Sequence, residues 1–478
     1  MSTRGRPTQK SKALRWIDRV GTVLSREGLR SLARRKLSQQ LGLFGERARL
    51  WRMRGRSWRP DNRAVFLGIT HRLGGGTERH LVDLERCLRD EGVRTVVVRP
   101  SARGGLLWEE RDELLATTWC RESGGGREAI ALMLEAISPV HAHVHHSIGL
   151  PEALFDLLAE QGLTYDWTIH DYYTICPRIN LIGAGGRYCG EPEEAGCQAC
   201  LGSLGDSSGR AVAEGILTWR QRNERRLAGA RRVFAPSTDV CRRIERYFPG
   251  LSVMLRPHAE SLRSQESLAA PLRPGEKVRV AVIGTLVAIK GSERLLACAR
   301  DARARKLPLE FHVIGATDRD LELSRTGHVR VSGRYREGEV FNRLRTARPH
   351  LAFLPSECPE SFMFALSIAM AARLFVVCFD LGAQAIRVRA WGFGQPIAIE
   401  LEPGEINDTL IAVAAQRELA AANAPPAPEP ANYPDILMSY YDFTAAERSR
   451  IVGSDFRHSQ TKRPSPHIAI GRDHAHLH

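Results

Sequence analysis

The sequence lacks any uninterrupted apolar run of about 18 residues, so no membrane-spanning helix is expected. Its first residues are basic but are not followed by an apolar core and a small-residue cleavage site, so it has no recognisable secretory signal peptide. Hydrophobic residues make up 43% and charged residues 26%, which is ordinary for a soluble globular protein. At 478 residues the chain exceeds one compact domain. These features favour a cytoplasmic protein of two domains.

Acidic residues are scarce in the first 60 positions, which hold three of them against 17 Lys and Arg. This segment carries +14 of the net charge of +15, so the basic character belongs to an appendage. Ile17, Val20 and Leu24 follow helical spacing, which predicts a basic amphipathic helical extension and an anionic membrane surface as its partner. The alternative is a solvated helix or disordered arm against the body of the protein. Nucleic acid is not expected as a partner, because no recognised nucleic-acid-binding module accompanies the charge.

Short apolar, β-branched runs alternate with helix-length segments in two blocks, from AVFLGIT to SVMLRP and from VRVAVIG to LFVVCFD. Strands that alternate with helices indicate parallel βαβ units, so two blocks predict two doubly wound, Rossmann-like domains facing across a cleft. The predicted organisation is a basic extension at 1–60, a first domain at 61–258 with a cysteine-rich loop at 176–200, a linker at 259–276, a second domain at 277–420, and a C-terminal helix, loop and disordered tail at 421–478.

The turn after the first strand is rich in glycine. Gly74, Gly75 and Gly76 allow the backbone to approach a ligand, and the helix from Thr77 points its free amides at the same place. The turn is not GxGxxG and no acidic residue suits the ribose of NAD, so the pattern favours a phosphate without indicating a dinucleotide. The alternative is that these glycines only form the turn.

Two further turns carry a chemically active side chain. His170 ends the strand WTIH, from which its imidazole reaches a cleft at the carboxyl ends of the strands; His145 and His146, at the end of the preceding strand, are second choices. In the second block Lys290 and Gly291 follow a strand and precede a helix, which suits a diphosphate. The alternatives are a structural histidine and a solvated surface lysine.

The stretch SECPESFMFALSIAMAA places Glu357 and Glu360 between a buried strand and an apolar helix predicted to begin at Ser361. A carboxylate there accepts hydrogen bonds from sugar hydroxyls while the helix amides bind an anion. Simple capping of the helix is the alternative for both glutamates.

Taken in order, these residues resemble the GT-B glycosyltransferases, and most closely the retaining glycosyltransferase family 4. The resemblance covers about Val65 to Pro396. It rests on the segments GGGTERH, TIHDYYTICPR, APS at 235–237, KG at 290–291, SGRY at 332–335, SECPESFMFALSIAMAA and FDLGAQAIR.

The resemblance implies roles for individual residues. His170 matches the histidine that contacts the donor sugar near the reacting carbon, Lys290 the lysine that neutralises the departing diphosphate, and Glu360 the first glutamate of the EX7E motif, which holds donor-sugar hydroxyls. His170, Glu360 and Lys290 are therefore the predicted catalytic residues. The predicted donor-binding residues are Gly74, Gly75, Gly76, Thr77, Lys290, Gly291, Glu360, Ser361, Phe362, Met363 and Phe364.

Two positions depart from the family pattern. The second glutamate of EX7E, which grips the nucleotide ribose, is replaced by Ile368, and the arginine expected five residues before Lys290 is replaced by Thr285. Loss of a charged hydrogen-bond partner costs about 1.5–3 kcal/mol. Donor affinity, donor identity and activity itself are therefore open to test.

Four cysteines cluster with the spacing C-x12-C-x7-C-x2-C, namely Cys176, Cys189, Cys197 and Cys200. Four thiolates complete a tetrahedral site, so this spacing predicts a structural zinc in the loop at 176–200. The alternative is four reduced thiols.

The resemblance predicts an enzyme that moves a sugar from a nucleotide-sugar donor to a glycan or lipid-linked acceptor, with retention, in cell-surface polysaccharide or lipopolysaccharide biosynthesis. No cofactor is expected for catalysis, because Lys290 and backbone amides replace a divalent metal. The protein is expected in the cytoplasm, peripheral on the inner membrane face through residues 1–60. A degenerate, non-catalytic nucleotide- or glycan-binding protein of the same fold is the competing hypothesis.

Overall fold

The computed structural model describes residues 63–102, 104–110, 113–119, 126–260, 262, 266–417 and 424–453. The predicted basic extension at 1–60 and the tail beyond 453 lie outside the described residues. The rest forms two α/β lobes, each built on its own sheet. The predicted pair of doubly wound lobes is therefore confirmed.

The first lobe is built on an eight-stranded sheet in the order β4-β3-β2-β1-β5-β6-β7-β8. Its central strand β1, VFLGI, is buried throughout, as expected for a parallel strand covered on both faces. The pairs from β2 through β1 to β8 are parallel, and β3 and β4 add an antiparallel edge. The strands are β1 Val65–Ile69, β2 Arg94–Ser101, β3 Gly105–Glu110, β4 Glu113–Trp119, β5 His141–Val144, β6 Tyr165–Thr168, β7 Arg232–Ala235 and β8 Val253–Leu255.

Six helices of this lobe connect its strands and the loop at 176–200. Most have apolar residues on one face, such as Leu81, Leu84 and Leu88 in the first of them, and these residues are buried. The helices are α1 Gly75–Asp90, α2 Gly126–Ile137, α3 Glu152–Glu160, α4 Glu194–Leu204, α5 Ile216–Ala228 and α6 Thr238–Tyr247.

The second lobe is built on a six-stranded, wholly parallel sheet in the order β11-β10-β9-β12-β13-β14. Its strands are β9 Val278–Leu286, β10 Leu309–Thr317, β11 Val329–Val331, β12 Leu351–Leu354, β13 Val376–Phe379 and β14 Gly394–Ile397. Its α-helices are α7 Ser292–Ala304, α8 Asp320–Arg325, α9 Val340–Ala347, α10 Phe364–Ala371, α11 Gly382–Trp391 and α12 Pro403–Arg417, and the short turns Ala288–Lys290 and Glu337–Glu339 are 3₁₀-helical.

The C-terminal helices α13 (Ile436–Ser439) and α14 (Ala445–Val452) follow the second lobe in sequence. The residues at and after α13 nevertheless complete a core cluster of the first lobe, in which Tyr440 and Tyr441 pack with Phe66 and Phe234. Both tyrosines are at most 1% exposed, so this end of the chain is part of the first-lobe core. Among the described residues, no helix combines the length and apolarity needed to cross a lipid bilayer.

Candidate active site

Each sheet has a point where the order of its strands reverses. In the first lobe β1 lies between β2 and β5, and in the second lobe β9 lies between β10 and β12. Ligands of open α/β sheets bind at such points, in the crevice beyond the carboxyl ends of the strands. The turns after β1 and β5 and those after β9 and β12 carry most of the residues predicted from the sequence.

A cavity of about 660 Å³ is lined by residues of both lobes. His170 of the first lobe and Lys290 and Glu360 of the second all line it, so the three predicted catalytic residues meet in one cleft. Gly75 and Gly291 are not part of the lining; they shape the turns that bear it. The predicted donor-binding residues in the lining are Gly74, Gly76, Thr77, Lys290, Glu360, Ser361, Phe362, Met363 and Phe364.

The glycine turn after β1 has the backbone that the sequence predicts. Gly74 and Gly75 have φ values of 69° and 79°, which side chains disfavour, and α1 begins directly at Gly75. A Cβ at Gly76 would lie 3.2 Å from the ring of Phe364 in the second lobe. The turn therefore approaches the opposite lobe closely, and Arg79 from the same helix stacks over that ring at 4.5 Å.

Lys290 and Glu360 form an ion pair at the floor of the second lobe. Lys290 Nζ donates to both carboxylate oxygens of Glu360 at 2.6 Å. Burial opposes the charge on Lys290, but the carboxylate raises the pKa of this ammonium above its usual value. The cleft therefore holds a lysine cation and a carboxylate side by side.

Further contacts fix Glu360 in place. The Ser356 hydroxyl donates to Glu360 Oε1 at 2.6 Å, and the backbone N–H of Glu360 donates to Gln384 Oε1 at 3.1 Å. Glu357, three residues earlier, instead accepts from the Arg294 guanidinium at 2.7 and 3.1 Å. Glu360 therefore lines the cavity, whereas Glu357 forms a buried structural ion pair with Arg294. Neither glutamate caps a helix.

The helix predicted to begin at Ser361 begins three residues later, at Phe364, and this correction has a visible cause. Met363 has a φ of 68° and the Ser361 hydroxyl donates to the backbone carbonyl of His170 at 2.6 Å, across the two lobes. Arg387 donates to the backbone carbonyl of Phe362 at 2.7 Å, and this contact stabilises the non-helical turn before α10. The free amides at the start of α10 lie beside the cavity.

His170 belongs to a cluster of buried histidines beneath the cavity. His145 Nδ1 and His170 Nε2 share a hydrogen bond of 3.1 Å, and the ring centroids of His80 and His258 lie 4.1 Å apart. Burial, reinforced by the neighbouring histidines, lowers the pKa of His170, His145 and His80 well below the ordinary value. These imidazoles are therefore neutral at neutral pH. His146, the other second-choice histidine, instead has its Nε2 3.1 Å from the Asp171 carboxylate.

The two departures from the family pattern lie in the same cavity. Ile368 and Thr285 both belong to its lining, and Ile368 is 5% exposed. An isoleucine offers no hydrogen bond to a ribose, so this part of the wall is apolar where the family pattern places a carboxylate.

The four clustered cysteines lie on two short elements beside the cleft. The β-bridge between Ile182 and Tyr188 brings Cys189 back toward Cys176, and α4 carries Cys197 and Cys200. Arg220 donates to Cys197 Sγ at 3.3 Å. Among the described residues, the one group of three possible metal-ligand atoms within 4.8 Å of one another comes from His80, His145 and His170 and not from the cysteines. The structural zinc therefore stays a prediction.

Protein purified without chelator is expected to contain about one equivalent of zinc held by these cysteines, because four thiolates in one loop satisfy a tetrahedral ion. Replacing both Cys197 and Cys200 with Ser is expected to remove that equivalent and to lower the melting temperature. Elemental analysis measures the metal, with Cys241→Ser, a free thiol outside the cluster, as the matched control. Equal zinc contents in the double variant and the control would contradict the site.

Several residues that shape the site were missed from the sequence. Gln384 and Arg387 lie in FDLGAQAIR, one of the segments that carry the family resemblance, but the resemblance predicts no role for either side chain. His80 ends GGGTERH and His258 follows β8, so each was visible only as an isolated histidine. Histidines at several strand ends were the available signal, since those ends converge in a parallel sheet.

No protein-family model and no curated protein matches the chain. Three solved structures with a similar arrangement are distant in sequence. Sucrose-phosphate synthase from Thermosynechococcus elongatus is 12% identical, with 76% of this chain and 92% of that chain covered and a TM-score of 0.48. The HepE protein of Anabaena in complex with UDP is 14% identical, with 84% and 98% covered and a TM-score of 0.48. The lipopolysaccharide outer core galactosyltransferase WaaB is 13% identical, with 83% and 99% covered and a TM-score of 0.48. The fold is assigned from the strand order and not from these likenesses.

Proposed function

We propose that the protein is a glycosyltransferase of the GT-B type that moves a hexose from a nucleotide-sugar donor to a glycan or lipid-linked acceptor. One observation carries the proposal. His170 from one lobe and the Lys290–Glu360 pair from the other line a single cavity at the strand-order reversals of both sheets. A cation, a carboxylate and a neutral imidazole are the groups that a diphosphate-linked sugar requires.

The chemistry follows from these groups. The bond between the anomeric carbon and the diphosphate oxygen breaks, and the acceptor hydroxyl forms a new bond to that carbon. Lys290 and the amides at the start of α10 stabilise the negative charge that develops on the leaving diphosphate. The leaving phosphate oxygen takes the acceptor proton, so the configuration at the anomeric carbon is retained. The proposal includes catalysis without a metal ion, because Lys290 and the amides of α10 would already stabilise the negative charge on the diphosphate.

Glu360 orients the donor sugar in this scheme. Its oxygens are bound to Lys290 and Ser356, so a sugar hydroxyl that binds takes the place of part of this network. His170 lines the same cavity from the first lobe, with a neutral ring that accepts or donates one hydrogen bond near the reacting carbon. The hydrogen bond from the Ser361 hydroxyl to the His170 carbonyl joins the two lobes at the edge of this cavity, and closure of the lobes around the donor would exclude water.

The acceptor belongs to cell-surface polysaccharide or lipopolysaccharide synthesis in this proposal. The basic character of residues 1–60 supports attachment to an anionic inner-membrane face, where lipid-linked acceptors lie. The competing hypothesis, a nucleotide- or glycan-binding protein without turnover, is favoured by Ile368 and Thr285, which replace two charged residues of the family pattern.

A screen of nucleotide-sugars by thermal denaturation tests the donor. A true donor at 100 times its dissociation constant stabilises the folded protein by about 2.7 kcal/mol, so it raises the melting temperature, and the rise increases with donor concentration. The same donor, incubated with acceptor extracts, is expected to release free nucleoside diphosphate. Stabilisation without release, across acceptors that include lipid-linked glycans, would support the binding protein, and no stabilisation by any nucleotide-sugar would contradict both.

A further inference from the structure

Three imidazoles from three separate elements converge beneath the cavity. His80 lies in α1, His145 directly follows β5, and His170 follows β6, and one ring nitrogen of each lies within 4.8 Å of the other two. All three side chains are buried, with exposed fractions of 0%, 2% and 8%. We propose that His80, His145 and His170 form a binding site for a divalent transition-metal ion of the zinc type.

The spacing of the nitrogens suits such an ion. Zinc–nitrogen bonds of about 2.0–2.1 Å in a tetrahedron place two ligand nitrogens roughly 3.4 Å apart. His145 Nδ1 and His170 Nε2 are 3.1 Å apart, so this pair is already at ligand distance. The His80 nitrogen lies within 4.8 Å of both, so a rotation of its ring toward the pair completes the set.

One nitrogen of the group has no other use in the structure. His80 Nδ1 is buried and has no hydrogen-bond partner, although a buried polar atom without a partner costs about 1–3 kcal/mol. A metal ion would satisfy this atom.

Outer contacts complete the arrangement. His80 Nε2 lies 3.0 Å from the Tyr440 hydroxyl, which itself lies 3.0 Å from the Thr168 hydroxyl. A ligating histidine usually has its second nitrogen held in this way, because that contact sets the tautomer and the direction of the ring.

The site opens on the cleft and not on the core. His170 lines the cavity, so an ion enters from there, and three protein ligands leave a fourth position facing the space proposed for the donor. Because the ion occupies the nitrogen of His170, it competes with the role of this residue in sugar transfer. On the proposed function, zinc is therefore an inhibitor of transfer, reversed by chelation.

The binding test uses Co²⁺ as a visible probe with the full-length protein after removal of metal by chelator. In the Cys197→Ser/Cys200→Ser background, in which the predicted four-cysteine site is disabled, one Co²⁺ per chain is expected to show ligand-field bands without thiolate-to-metal charge transfer. His80→Phe and His145→Phe keep a ring of similar shape but remove the nitrogen, and each is expected to abolish this signal. Histidines of the C-terminal segment are present in every variant, so the difference between variants reports the buried group.

Tyr440→Phe provides a milder variant that retains all three ligands. Removal of the hydroxyl that holds His80 is expected to lower Co²⁺ affinity about 10–100-fold. Tyr441→Phe is the matched control, since Tyr441 is equally buried but its hydroxyl contacts His143 at 2.9 Å. If the His variants do not fold, this pair decides the question.

Two outcomes would overturn the metal site. One is identical Co²⁺ spectra in wild type and folded His80→Phe or His145→Phe, and the other is equal Co²⁺ affinities in Tyr440→Phe and Tyr441→Phe.

Inhibition by zinc is tested in a separate experiment, in which nucleoside diphosphate release is measured with and without zinc. If Co²⁺ binds at the histidines but no donor is ever consumed, the proposed function fails and the metal site stands. If transfer occurs and the histidines bind no Co²⁺, the metal site fails and the proposed function stands.

Discussion

Lys290→Ala is expected to lower the rate of sugar transfer by roughly 10²–10³-fold, the loss typical when one preorganised donor is removed from beside a developing negative charge. Lys290 Nζ is a cation of the cavity wall and contacts both oxygens of Glu360 at 2.6 Å. Glu360→Ala is expected to reduce transfer as strongly, because it removes the carboxylate proposed to bind the sugar and takes from Lys290 its partner in the ion pair. Nucleoside diphosphate release at saturating donor measures both.

Glu357→Gln is the matched control for Glu360→Ala. Both glutamates lie in the same turn and are nearly equally buried, at 6% and 9% exposed, but Glu357 pairs with Arg294 and is not part of the cavity lining. Glu357→Gln is therefore expected to lower the melting temperature and retain the rate, whereas Glu360→Ala loses the rate. Wild-type transfer by folded Glu360→Ala or Lys290→Ala would remove the site assignment.

Gly291→Ala is expected to lower the free energy of unfolding by about 2–5 kcal/mol, the sum of overpacking and of a side chain in left-handed backbone. Gly291 has a φ of 87°, and a Cβ there would lie 2.0 Å from the carbonyl oxygen of Pro355. This close approach joins the Lys290 turn to the segment that leads to Glu360. The shift in the urea denaturation midpoint of the second lobe measures the loss.

Gly275→Ala separates the two causes. Gly275 also has a positive φ, of 78°, but a Cβ there meets no atom within 4 Å. Its expected cost is only the backbone part, about 1–2 kcal/mol. Equal losses in the two variants would show that the contact with Pro355 is unimportant.

Most of the parallel strands were predictable because they are short buried runs rich in β-branched and aliphatic residues. β3 and β4 were not predicted, since GLLWEE and ELLATTW acquire their strand geometry from pairing with β2 and with each other. β14 was also missed because Gly394 and Pro396 disfavour strands. As the last strand of its sheet, β14 tolerates a proline that an inner strand would exclude.

The candidate site was predictable where a side chain directly follows a strand. His170, Lys290 and Glu360 were identified in this way, since parallel strands bring their carboxyl ends to one edge. The start of α10 was misplaced because the hydroxyl of Ser361 bonds to the other lobe, a contact absent from any local pattern. The pairing of Glu357 with Arg294, 63 residues away in sequence, is likewise a product of tertiary structure alone.

The packing of α13 has a consequence for biosynthesis. Phe66 and Phe234 leave the ribosome long before Ile436, Tyr440 and Tyr441, with which they share a core cluster. During translation the first lobe therefore exposes this apolar surface until almost the whole described chain has been made. A nascent chain stalled or truncated before position 436 is left with an unfinished domain, which makes it a target for chaperones and proteases.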